Sequence, residues 1–205
     1  MTRGRARGAG AITVLLWLLA AGCNRTPQFF GEVVKPARPA PELVAVNWDG
    51  KPFRLSELRG KVAIVFFGYT FCPDVCPFAL AKMKKLYADL GERAADVKVV
   101  FVSVDPQRDT VAKLANYVPN FDRRFYGLRL EPAAVDGVSE SFAVTVQYGQ
   151  PEDGPETESF YYVDHTGSFF VIDREGQLRL TFPPNATADQ MRPDIEKLLA
   201  AGSAD

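Results

Sequence analysis

Two apolar runs constrain this chain more than anything else in it: KVAIVFFGY, Lys61 to Tyr69, and VKVVFVSVD, Val97 to Asp105. Each is nearly continuous and rich in β-branched and aromatic residues, so each reads as a strand buried on both faces of a sheet. Between them, PFALAKMKKLYADLG sets Phe78, Leu80, Met83, Leu86 and Leu90 at helical spacing and stops at Gly91. Strand, helix and strand in that order make a parallel crossover with helices packed on the sheet.

The rest of the chain extends this unit. LVAVNWDGKPFRLSEL alternates and turns at Asp49-Gly50, predicting an opening hairpin. Asp109 can cap a helix running to about Tyr117, and EPAAVDGVSESF reads as another. SFYYVD and SFFVID flank His165-Thr166-Gly167, LRLTF follows the turn at Arg174 to Gly176, and an amphipathic helix covers Asp189 to Ala200. The order predicts an α/β, thioredoxin-like fold with an N-terminal hairpin extension. An insertion precedes the last strands, where Gly149 to Ser159 carries Glu152, Asp153, Glu156 and Glu158. No repeat or second boundary appears, so 205 residues form one domain over 41–201.

The N-terminus is read separately. Arg3, Arg5 and Arg7 precede a short apolar run, Ala9 to Ala21, which predicts a secretory signal over 1–22. Its end, LLAAGC, resembles the lipobox of bacterial lipoproteins, although Ala20 stands where Leu is usual. Cys23 is the candidate for lipid attachment, with an uncleaved short anchor as the alternative. Residues 23–40 hold Pro27, Pro36 and Pro39 and read as a semi-rigid tether lifting a domain off a membrane. The expected location is the periplasmic face of a bacterial membrane. A net charge of −1 offers no basic surface for nucleic acid, and a monomer is expected.

Two cysteines remain for chemistry, Cys72 and Cys76 in GYTFCPDVCPF. A strand-to-helix turn places them where helix N–H groups favour a thiolate, and Pro77 at the first helical position would put Cys76 at or just before the cap. Three intervening residues still permit a disulfide but widen the pair into a chelating bite. His165, the single histidine, lies where thioredoxins face their dithiol with a proline. Two thiolates and an imidazole suit copper; zinc would want a fourth ligand, which Asp164 or Asp74 could supply. Asp164 could instead orient the His165 ring. Asp105, Arg108 and Asp109 read equally as site support and as a strand-end turn with a cap, and Tyr69 and Phe71 as shields or ordinary packing.

GYTFCPDVCP, VSVDPQRDT, YVPNFDRRFYGL and VDHTGSFFVID together resemble successive blocks of the Sco/SenC family of copper-binding proteins, over about Pro41 to Leu199. The resemblance implies one copper per chain, Cu(I) or Cu(II), held by Cys72, Cys76 and His165. It also implies a non-enzymatic chaperone that delivers copper to the binuclear centre of cytochrome c oxidase subunit II, or to another copper protein. A thiol-disulfide oxidoreductase that keeps oxidase cysteines reduced, and a copper or redox sensor, stay open beside it. The chain departs from the family pattern at Phe71, where many relatives carry His, at Arg129-Leu130, and in the acidic insertion.

Overall fold

The structure, a computed structural model, describes residues 28–150 and 161–201. The signal, Cys23 and most of the acidic insertion lie outside the described residues. Among the described residues ten strands occur in the order β1 (Glu32–Pro39), β2 (Val44–Asn47), β3 (Pro52–Arg54), β4 (Val62–Gly68), β5 (Val97–Ser103), β6 (Tyr126–Arg129), β7 (Val146–Tyr148), β8 (Val163–His165), β9 (Phe169–Ile172) and β10 (Gln177–Phe182). Helices are α1 (Val75–Leu90), α2 (Val111–Tyr117), α3 (Val135–Ser141) and α4 (Ala188–Ala201).

Every residue of β4 is buried, and β4 is central as its apolar run requires. It pairs in parallel with β5, Val62 opposite Val97 through Gly68 opposite Ser103, and antiparallel with β9, Phe66 opposite Phe169. The eight-stranded sheet runs β1-β10-β9-β4-β5-β6-β2-β3, and β7 and β8 form a separate two-stranded ribbon. Strands β10-β9-β4-β5 with α1 and α4 are the thioredoxin-like core. Phe66, Phe67, Phe101 and Phe169 are almost fully enclosed, each worth roughly 1.5–3 kcal/mol of burial.

Several expectations are corrected. Residues 32–39, read as tether, form β1 on the edge of the sheet: Glu32 pairs with Thr181 and Val33 with Leu180, then after a bulge Arg38 pairs with Leu178. An edge strand and a bulge are where proline is tolerated, because a missing N–H can face away from the ladder. The hairpin at Asp49-Gly50 forms, with Gly50 at φ 80°, but it joins β6 at the opposite edge of the sheet. Asp109 does not cap α2; Thr110 does, accepting from the Lys113 N–H. β6 has no counterpart in the sequence reading: it is short, and its Gly127 is packed so closely that an added methyl would meet Val118 at 2.7 Å.

Candidate functional site

The cysteines follow from how β4 ends. Gly68 closes the strand, and an added methyl there would lie 2.8 Å from the Cys76 sulfur and 2.7 Å from the Phe101 ring. Glycine therefore makes the space that Cys76 occupies. The chain turns through Tyr69, whose carbonyl accepts from the Cys72 N–H at 3.3 Å, and enters α1 at Val75. Cys76 thus sits inside the first helical turn rather than at the cap. Pro77 permits this because the first four N–H groups of a helix have no partner within it.

Both thiols are free and buried, Cys72 at 9% exposure and Cys76 at 0%. The Cys76 thiol, donating to the Cys72 sulfur, pulls the Cys72 pKa down to about 4 against the opposing effect of burial; the His165 ring and the backbone N–H groups of Asp74 and Cys76 add to it. Cys76, as the donor in a buried site, is pushed up. The pair therefore carries one negative charge, on Cys72.

His165 arrives from β8. Its Nε2 lies 3.6 Å from the Cys76 sulfur, and its Nδ1 lies 3.2 Å from the Thr166 carbonyl oxygen. A carbonyl only accepts, so Nδ1 holds a proton and Nε2 faces the sulfurs. In the neutral ring Nε2 offers a lone pair; in the cation it donates to the thiolate. The rings of Phe66 and Tyr69 stand edge-on to the imidazole, with centroids 6.1 and 5.9 Å away. Among the described residues no group of three or more His, Cys, Asp or Glu is already arranged to hold an ion, so enclosing one requires these side chains to turn.

The carboxylates considered from sequence stand elsewhere. Asp164 is exposed, and strand alternation points its side chain to the other face from His165; the Thr166 carbonyl faces the His165 Nδ1. Asp74 is exposed at the start of α1 and caps no N–H with its side chain.

A buried bracket behind the cysteine loop was only partly legible. Asp109 accepts from the Thr70 N–H at 3.0 Å and the Ser103 hydroxyl at 2.7 Å; burial raises its pKa, with those bonds opposing. Arg108 Nε donates to Asp105, and its Nη1 donates to the Tyr161 carbonyl at 2.8 Å. Its guanidinium also stacks on Tyr161 at 3.5 Å and Phe71 at 4.8 Å. Tyr161 returns its hydroxyl to Asp105 at 2.8 Å. The Tyr69 hydroxyl accepts from the Val163 N–H at 3.3 Å. One loop thus ties the cysteine turn to the chain that delivers His165. Nothing in the spelling of SFYYVD marks Tyr161 for this role. Phe71, whose ring also lies 4.1 Å from the Lys113 ammonium, Val75 and Phe78 are exposed around the cysteine turn, at 37%, 44% and 69% exposure.

Comparison with known proteins follows from this geometry. A model of the SCO1/SenC family matches residues 35–200. An SCO2-like protein of Rickettsia prowazekii is 31% identical over 186 residues, covering 90% of this chain and 88% of that protein. The solved structure of Bradyrhizobium japonicum ScoI with copper bound is similar at 32% identity and a TM-score of 0.69, over 79% of this chain and all of that one. Apo Sco1 of Thermus thermophilus is similar at 36% identity and a TM-score of 0.74, over 86% of this chain and all of that one. With the family model spanning most of its length and the cysteine and histidine blocks in place, this chain belongs to the SCO1/SenC family.

Proposed function

We propose that the chain is a membrane-anchored copper carrier that holds one copper between Cys72, Cys76 and His165 and passes it to the binuclear centre of cytochrome c oxidase subunit II. The observation that carries the reading is the approach of His165 Nε2 to the Cys76 sulfur at 3.6 Å beside an anionic Cys72. Two soft sulfur donors and one imidazole suit copper, and both Asp74 and Asp164 are exposed to solvent. The copper-bound Bradyrhizobium structure supports the choice of metal. The apolar rim of Phe71, Val75 and Phe78 gives a partner a surface from which water is excluded during ligand exchange. Lipid on Cys23 would anchor the chain at the periplasmic face.

A second reading rests on the asymmetry of the dithiol. Cys72 is the more exposed and more acidic sulfur and Cys76 the enclosed one, the division of a thiolate that attacks a partner disulfide and a thiol that then resolves it. In that exchange the two cysteines are oxidised to a disulfide and the partner's sulfurs are reduced. Copper titration of reduced and disulfide-oxidised protein separates the readings. The carrier predicts one copper per reduced chain, none per oxidised chain, and affinity lowered by more than about 100-fold in His165→Ala, beyond the usual loss of an outer-shell partner. Unchanged affinity in that variant would refute the three-donor site.

A further inference from the structure

The N-terminal segment joins the domain earlier than its prolines suggest. Asp194 on α4, 1% exposed, accepts from the N–H groups of Phe30 at 2.6 Å and Gly31 at 2.9 Å. Lys197 donates to the Gln28 carbonyl, and its ammonium lies 5.3 Å from the Phe29 ring. Gly31 lies so close to the Phe182 ring that a methyl would meet it at 2.7 Å. From Gln28 onward the chain is therefore bound to the domain.

Only four residues, Asn24 to Pro27, then separate Gln28 from the candidate lipid-bearing Cys23. Fully extended, the five steps span at most about 18 Å; measured from Ala21, the end of the apolar run, the reach is at most about 25 Å. A domain of this size has a radius of gyration of about 15 Å and a diameter of about 40 Å. The leash spans only about half of the body's diameter, so it holds the side where it enters toward the surface.

That side is suited to the contact. Phe30 is 59% exposed and shares a hollow with Lys197, paired with Asp194 at 2.9 Å, and Asp189, paired with Lys85 at 3.1 Å; the adjoining edge strand β1 presents exposed Lys35 and Arg38 beside one exposed carboxylate, Glu32. An aromatic ring with flanking cations matches the headgroup level of an anionic bilayer. We propose that the β1 edge and the outer side of α4 form a lipid-contact surface, held on the bilayer by this short leash with Phe30 at the headgroups. The inference rests on the membrane anchor of the proposed function and adds which side of the domain faces the lipid.

Fluorescence quenching tests it on the full anchored chain in phosphatidylethanolamine–phosphatidylglycerol vesicles that contain lipids brominated close to the headgroup. With Trp17→Phe, the remaining indole is Trp48, in the hairpin at the opposite edge of the sheet. Adding Phe30→Trp places a second indole at the proposed contact. The expected result is that the added emission is mostly lost to the bromines while that of Trp48 is little changed. A Gly-Ser spacer of about 20 residues after Pro27, with a mean span near 25 Å, should restore the emission. Full emission from the introduced indole on vesicle-bound chain would overturn the proposal, as would quenching that survives the spacer. A chain that fails to float with the vesicles would overturn the anchor itself, while the copper titration stays interpretable.

Discussion

Only one sulfur of the pair ionises readily, because Cys76 spends its proton on Cys72 and is itself enclosed. The sign of the pH dependence follows. The thiolate fraction rises with pH through the folded-state value, so with that value near 4 Cys72 is already anionic at neutral pH. Alkylation of the reduced, metal-free protein at Cys72 should be nearly flat from pH 6 to pH 8 and fall about tenfold by pH 3, whereas an ordinary thiol loses reactivity tenfold per unit across the neutral range. A mass-resolved pH profile checks this, with Cys76 expected to stay unmodified throughout. At this scale the meeting of His165 with the cysteine turn was readable from type and context, since a lone histidine and two cysteines leave few combinations. The bracket was not, because Arg108 finds Tyr161 only through the folded sheet, 53 residues away.

At the scale of elements, the end of β4 governs the site. Gly68→Ala would put a methyl 2.8 Å from the Cys76 sulfur, moving that sulfur and costing roughly 1–3 kcal/mol of overpacking. The expected outcome is a folded protein with lowered melting temperature and weakened copper binding, seen by calorimetry and titration together. The buried strands β4 and β5 and the helix between them were legible because an apolar run and a 3.6-residue period are local signals. β1 and β6 were not. Prolines in β1 imitate a linker, and their tolerance depends on an edge position that only the whole sheet defines; β6 has four residues, too few to show a period.

For the whole molecule, the true beginning of the fold is testable. A chain started at Pro41, where the prolines alone would place the boundary, lacks β1 and leaves the β10 ladder and Phe182 uncovered. It should melt several degrees below a chain started at Gln28, at about 2–4 °C per kcal/mol lost, and associate at its bared edge. Asp194→Ala should lower the melting temperature in the same direction while leaving α4 in place, because two N–H groups lose their acceptor at about 1–3 kcal/mol for a buried donor left unpaired.

The two halves of the proposed donor set come from different sheets. The cysteines stand in the loop after β4 and the first turn of α1, whereas His165 belongs to the ribbon of β7 and β8, which shares no ladder with the main sheet and is tied to the cysteine turn through the Tyr69 hydroxyl and the Val163 N–H. They act as an anvil and an arm. Loading of the proposed site should therefore slow amide exchange along the six strand residues of the ribbon and leave β4 as it was.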